Sequence, residues 1–380
     1  MPKKLFVLAG EVSGDMHAAR AIAELLKARP DIKVFGIGGQ HIRKLGVELL
    51  FDTAQMSIMG MVDVVKHAGF LRRVFRELKN AVRREKPYAA LLVDYPGMNL
   101  LMARFLHQLG IPVIYYISPQ VWAWKEGRVK SMKRDVDRLL VIFDFEVEFF
   151  SRHGICAEFV GHPVLEELAE LELPSREHFQ KQHSIAPETR LVGLLPGSRK
   201  QEITYILPEM LKAARQLNGD YPVTFLFGRA PHLEKEFYSA FSEYSDLSIV
   251  ECSAYEVMQF SELLLVTSGT ATFESLCFGS PMVVVYKTGQ INYQIGRKLV
   301  KLKNIALANI VAKGLWSSER AVPELLQHEA NGEEIYRQAR VILDDPAVAS
   351  AMRTELLAAR AKLAEVAPSP RVAAVLQEYL

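Results

Sequence analysis

A chain of 380 residues, 49% hydrophobic and 24% charged, is long enough for two domains and has the make-up of an ordinary globular protein. Its net charge of +2 gives no general pull toward nucleic acid, which is therefore not expected as a partner. Three isolated cysteines, Cys156, Cys252 and Cys277, argue against a disulfide framework or a zinc knuckle and fit a reducing compartment.

The opening Lys3 to Gly10 imitates a signal peptide, but Glu11 cuts the apolar stretch too early, so it reads as a buried strand. No run approaches the ~18–20 apolar residues of a membrane span. The expectation is a cytosolic protein that is still able to lie on a membrane. Strands are expected at Leu5–Ala9, Val34–Ile37, Ala89–Asp94, Pro112–Ile117, Leu139–Phe143 and Glu158–Val160. Between them lie helical patterns such as His17–Ala28, Val62–Glu85 and Leu100–Leu109. This alternation predicts right-handed βαβ units and a parallel sheet. After a polar stretch at 166–190 a second series follows: Leu191–Leu195, Val223–Phe227, Leu247–Val250, Leu263–Val266 and Met282–Tyr286. The boundary falls near Gly161–Pro163, giving domains 1–163 and 164–345 and a helical tail 346–380. The expected class is α/β, with two Rossmann-like parallel-sheet domains facing across a cleft.

Each motif follows a strand, where such sheets bind ligands. Gly10-Glu11-Val12-Ser13-Gly14-Asp15 lacks both the dinucleotide fingerprint and the Gly-Lys-Ser/Thr ending of a P-loop. It reads either as a site turn or as a helix cap made by Ser13 or Asp15. Asp94, before Tyr95-Pro96-Gly97-Met98-Asn99, is either a partly desolvated general base or a turn residue. Ser118-Pro119-Gln120-Val121-Trp122-Ala123-Trp124 puts two tryptophans where they line a cleft or pack in a core. His162 sits at the hinge. Pro196-Gly197-Ser198-Arg199 and Ser268-Gly269-Thr270-Ala271 each open a helix, whose free N–H groups and dipole attract phosphate. Arg199 is disfavoured at a helix start unless it meets an anion. Together they predict a diphosphate site, with Glu274 one turn on either reaching a ribose or facing solvent. Residues 57–86 combine apolar Met61, Val62, Val64, Val65, Phe70 and Leu71 with basic Lys66, Arg72, Arg73, Arg76, Lys79, Arg83, Arg84 and Lys86. That pattern fits an anionic bilayer surface or a domain helix with a solvated basic face. No histidine or carboxylate cluster has metal-ligand spacing.

At these residues the chain resembles the lipid-A-disaccharide synthase family, bacterial glycosyltransferases of GT-B type. Ala9-Gly10-Glu11-Val12-Ser13-Gly14-Asp15 is similar to the family's Ala-Gly-Glu-x-Ser-Gly-Asp, and Met59-Gly60 to its Met-Gly segment. Ser118 to Trp124 matches Ser-Pro-x-Val-Trp-Ala-Trp, a highly specific string. Gly161-His162-Pro163, Leu194 to Arg199, Ser268 to Ala271 with Glu274, and Leu307-Ala308-Asn309 follow in order. Gly97 stands where the family usually carries a second aspartate, in Asp-x-Pro-Asp-Phe-Asn.

The resemblance implies an inverting transfer from UDP-2,3-diacylglucosamine to 2,3-diacylglucosamine 1-phosphate (lipid X). The products are the β-1,6 disaccharide 1-phosphate of lipid A biosynthesis and UDP. It implies work at the cytoplasmic face of the inner membrane, with residues 57–86 as the membrane contact. Asp94 is the expected base, since Gly97 lacks the second carboxylate. Arg199, Ser198 and the Ser268, Gly269, Thr270 and Ala271 backbone are expected on the diphosphate, Glu274 on the ribose and Asn309 near the donor sugar. Glu11, Ser13, Gly14 and Asp15 are expected in the opposite wall, with Asn99, Ser118, Trp122 and His162 as further cleft residues. No metal or other cofactor is expected. The tail either crosses back to the first domain or exchanges with a partner chain in a homodimer. A UDP-sugar 2-epimerase and a non-catalytic nucleotide-sugar sensor stand as rivals.

Overall fold

The computed structural model describes residues 2–57, 68–124, 126–230, 232–238, 244, 246–290, 293–294, 296 and 302–380. The chain divides into two units, 1–168 with 363–380, and 169–362.

The first unit is built on a seven-stranded parallel sheet: β1 (Lys4–Ala9), β2 (Lys33–Gly38), β3 (Glu48–Asp52), β4 (Ala89–Val93), β5 (Val113–Tyr116), β6 (Arg138–Val141) and β7 (Ala157–Phe159). Its order is β3-β2-β1-β4-β5-β6-β7. The middle strands are apolar throughout because helices cover both faces. All five residues of β4 are buried, and β1 contributes Leu5, Val7 and Ala9 to the core. Gly36 in β2 has φ +148°, and a Cβ there would lie 1.9 Å from the Val7 carbonyl oxygen. Only glycine lets the two strands approach this closely.

The second unit has a six-stranded parallel sheet: β8 (Arg190–Leu195), β9 (Val223–Gly228), β10 (Ile249–Cys252), β11 (Leu263–Thr267), β12 (Met282–Tyr286) and β13 (Glu324–Leu326). Its order is β10-β9-β8-β11-β12-β13. Both sheets are Rossmann-like. In each, strand order reverses beside the first strand: between β1 and β4, and between β8 and β11. Such switch points open a crevice at the carboxyl ends of the strands. Gly10–Asp15 and Asp94–Asn99 flank the first, and Pro196–Arg199 and Ser268–Ala271 the second.

The helix expected at His17 begins at Val12, and the one expected at Leu100 begins at Pro96. Proline is compatible with a first helical turn because its missing N–H has no partner there anyway. The helix Ala68–Glu85 buries Val74, Leu78, Ala81 and Val82 at helical spacing. The final helix, Pro368–Gln377, packs Val372, Ala373, Val375 and Leu376 into the core of the first unit.

Candidate active site

The first switch point concentrates backbone strain. Asp94 and Tyr95, just past β4, have φ of +46° and +42°, and Ile117, just past β5, has +63°. A left-handed non-glycine residue costs on the order of 1–3 kcal/mol, and a β-branched one is a clear outlier. Hydrogen bonds hold this turn in place. Asn99 Nδ2 donates to the Asp94 carbonyl at 2.7 Å and to Val93 at 3.0 Å, and the Tyr115 hydroxyl donates to Asp94 at 2.6 Å. Asn99 is wholly buried. It shapes the β4 turn and does not line the open space.

The Asp94 side chain borders a cavity of about 250 Å³, shared with Ile117, Ser118, Gln120, Trp124, Arg128 and Glu146. Its carboxyl is pushed up to about 6, chiefly by burial and then by the Glu11 charge, against a Tyr95 N–H that favours the carboxylate. That range suits a base that must be ionised near neutral pH yet still attract a proton.

The same cavity is also lined by Glu146, a residue not singled out in the sequence. It lies in the first turn of the helix Asp144–Arg152 after β6 and is 1% exposed. Oε1 accepts from Ser118 Oγ at 2.6 Å and Trp122 Nε1 at 3.1 Å. Oε2 accepts from the Ile142 and Phe143 N–H groups at 3.2 and 3.1 Å. Burial outweighs these four donors and pushes the carboxyl up to about 7. Ser118 and Trp122 are thus anchored in the wall, whereas Trp124 is 44% exposed at the cavity.

Other expected residues divide. Glu11 and Ser13 are exposed at the start of the helix Val12–Ala28, and Gly14 is buried against Ala9 and Val93. Asp15 corrects both of its expected roles. Its buried carboxylate accepts from the N–H groups of Gly39, His41 and Ile42 at 2.6, 3.0 and 3.2 Å. It therefore caps the short helix Gln40–Arg43 and neither its own helix nor a ligand. His162 is also buried, with Nδ1 accepting from Val164 N–H and its ring 5.0 Å from Phe143. Burial and the nearby His17 hold its pKa well below the usual histidine range.

At the second switch point Ser198 and Arg199 are exposed, and Arg199 Nη1 pairs with Glu202 at 2.6 Å. The helix Thr270–Phe278 has Gly269 as its N-cap, with no side-chain cap bond. The first-turn N–H groups of a helix have no intrahelical acceptor and carry its positive dipole end. Gly269 and Thr270 are exposed, and Ala271 and Glu274 half-buried. The Ser268 N–H is already donated to Val285 O at 3.1 Å, which removes it from the expected anion donors.

Asn309 is the second correction. It is wholly buried and saturated: Nδ2 donates to Val322 O and Glu324 Oε1, while Oδ1 accepts from the Ala321 and Val322 N–H groups. With all four bonds made inside the protein, it braces the loop before β13 and leaves nothing for a sugar. Of the expected membrane contacts, Met61, Val62, Val64 and Val65 lie outside the described residues. Leu71 is half-buried, and Phe70 sets its ring edge-on to Phe51 of β3 at 6.4 Å. Among the described residues, no group of histidines, cysteines and carboxylates is arranged to hold a metal ion, and no helix is long and apolar enough to cross a membrane.

Solved structures share this architecture. The S. aureus MnaA–UDP co-structure aligns over 100% of this chain and 97% of its own, with TM-score 0.64 at 11% identity. A glycotransferase of kitacinnamycin aligns over 100% and 99%, with TM-score 0.59 at 14% identity. Two Rossmann-like parallel-sheet units give the protein the GT-B fold. A family model described as lipid-A-disaccharide synthetase matches residues 5–367. The lipid-A-disaccharide synthase of Geobacter sulfurreducens is 38% identical over 99% of this chain and 97% of its own, and that of Myxococcus xanthus 37% over 100% and 98%. The chain belongs to the lipid-A-disaccharide synthase family and is a glycosyltransferase of lipid A biosynthesis.

Proposed function

We propose that the protein transfers a 2,3-diacylglucosaminyl group from its UDP derivative to the 6-hydroxyl of 2,3-diacylglucosamine 1-phosphate, with inversion at the anomeric carbon. Asp94 takes the hydroxyl proton, the oxygen attacks the anomeric carbon, and the bond to the diphosphate breaks as UDP leaves. Arg199 and the Gly269, Thr270 and Ala271 N–H groups meet the charge that grows on the leaving group. Preorganised donors of this kind are worth most where charge develops. Glu274 binds the ribose. No step is assigned to a metal. The observation that carries this reading is Asp94, a carboxyl raised to about 6 at the β1/β4 switch point beside a cavity.

Acylated substrates stay in a bilayer, so the enzyme works as a peripheral protein on the cytoplasmic face of the inner membrane. The basic face of Ala68–Glu85, with Arg72, Arg73, Arg76, Arg83 and Arg84 exposed, supports that approach.

The test is an assay with UDP-2,3-diacylglucosamine, with and without lipid X. Disaccharide 1-phosphate and UDP in equal amounts, only when lipid X is present, is the expected result. Acceptor-independent turnover, or an epimer made from UDP-GlcNAc alone, overturns the reading.

A further inference from the structure

The cavity at the ends of β4 and β5 carries a carboxylate and a guanidinium that do not neutralise each other. No cation contributes to the environment that raises Asp94. Arg128, half-buried, lines the same cavity. Neighbouring Arg134 and Arg138 are tied to Asp135 and Glu158, whereas among the described residues Arg128 forms no ion pair. Its charge is felt at the Tyr115 hydroxyl, the same hydroxyl that holds the Asp94 carbonyl. Its Cζ lies 6.0 Å from the centroid of the exposed Trp124 ring. Guanidinium, aromatic face and base therefore border one space.

A half-buried guanidinium without a protein anion is set up for an anionic ligand, and its planar fork matches phosphate oxygens. The indole offers an apolar face of the kind that binding pockets present to a ligand. The volume narrows the choice further. About 250 Å³ is below the ~300–1,000 Å³ of pockets that enclose whole drug-sized ligands, so the cavity takes a head group and leaves acyl chains outside. We infer that Arg128 and Trp124 form the anion-reading end of the acceptor site, taking the phosphate of a hexosamine 1-phosphate whose primary hydroxyl faces Asp94. In such a molecule the 1-phosphate and the 6-hydroxyl project from C1 and C5, the two carbons that flank the ring oxygen, so one small cavity bordered by both Arg128 and Asp94 can meet them together. This assignment rests on the acceptor proposed above and adds the residues that select for its phosphate.

The experiment compares wild type, Arg128→Gln, Arg128→Lys and Trp124→Ala on two acceptors, 2,3-diacylglucosamine 1-phosphate and the same sugar without phosphate. It also measures binding of glucosamine 1-phosphate against glucosamine by titration calorimetry, with thermal melts as a folding control. Removing a charge-assisted bond should cut the preference for the phosphorylated acceptor roughly 10–100-fold in Arg128→Gln, with partial recovery in Arg128→Lys. Trp124→Ala should weaken both acceptors alike. An equal preference in wild type and Arg128→Gln, in both turnover and binding, overturns the assignment. If wild type makes no disaccharide but its phosphate-dependent binding is lost in Arg128→Gln, the transfer reading falls and the anion site stands.

Discussion

As the proposed base, Asp94 meets two opposing demands. A base must be ionised to take a proton, yet the end of β4 buries it and Glu11 adds a second negative charge, so its carboxyl titrates at about 6. The acceptor-dependent kcat/KM should therefore rise with pH through about 6 and level off above it, and Asp94→Asn should remove this limb. Turnover in that variant should fall on the order of 10²–10⁴-fold while UDP binding persists; near-wild-type turnover rules Asp94 out. Glu146 carries a different consequence, for stability. Its folded value of about 7 is above its ordinary 4.5. Its stabilising contribution is therefore full below about pH 4.5 and is lost as pH rises through about 7. The difference in melting temperature between wild type and Glu146→Gln should shrink from pH 5 to 8; a gap that stays constant would mean Glu146 titrates normally. Glu146→Ala leaves four donors at Ser118, Trp122, Ile142 and Phe143 without their acceptor, at about 1–3 kcal/mol for each buried unsatisfied group. Against a total stability of about 5–15 kcal/mol, the first unit should melt many degrees earlier by calorimetry.

At the scale of elements, what could be read from the sequence follows burial. Strands covered on both faces, such as β1, β4, β8 and β11, are unbroken apolar runs and stand out. The edge strands do not. β3 is at most half-buried, β13 has three residues, and β10 alternates exposed and half-buried positions, so its apolar signal at Leu247–Val250 begins two residues before the strand and overlaps only its first half. The positions of Asp94 and Arg199 were legible because each follows a buried apolar strand, β4 and β8, in the turn that leads to the next helix. Glu146 was not, because its role comes from donors 24 and 28 residues away in sequence. Asn309 misled for the converse reason: a polar residue in a family motif is also what a buried brace looks like. The helix Ala68–Glu85 belongs between these cases. Its apolar stripe is the domain helix one reading expected, and its outer face is basic. Arg73 and Arg84 are partly neutralised by Glu77 and Glu85 at 2.7 and 2.6 Å, whereas Arg72 and Arg76 are exposed. Each basic residue near an anionic surface contributes about 1 kcal/mol. Arg72→Glu with Arg76→Glu should therefore cut binding to vesicles containing anionic lipid by at least tenfold, with no change in melting temperature. Equal sedimentation with those vesicles would show that this face is merely solvated.

For the molecule as a whole, the sequence order and the folding units do not coincide. The chain leaves the first unit at 168, completes the second, and returns at 363. The return is built into the first core. Gly161 has φ +86°, and a Cβ there would lie 2.0 Å from the Val366 carbonyl oxygen, so the returning segment runs directly against it. Glu166 accepts from Ser369 N–H and Oγ at 2.9 and 2.5 Å, Arg138 bridges Glu158 and Glu378, and Arg29 donates to Leu380 O at 2.8 Å. Val372, Val375 and Leu376 are wholly buried, and each such side chain stabilises by about 1.5–3 kcal/mol. Three of them reach the size of a whole domain's net stability, while the surface ion pairs add about 0–1 kcal/mol each. A chain ending at Lys362 should therefore lose the first unit and keep the second, whose own last helix, Pro346–Leu363, sets Leu357 against Gly279 and lets Arg360 donate to Cys277 O at 2.8 Å. Limited proteolysis of the shortened chain should digest residues 1–168 and spare a fragment spanning 169–362, and disaccharide synthesis should vanish. Val372→Asp with Leu376→Asp in the full chain should give the same pattern through the apolar contacts alone. Protection of both units in either protein would mean that the first sheet holds its core without the returning helix.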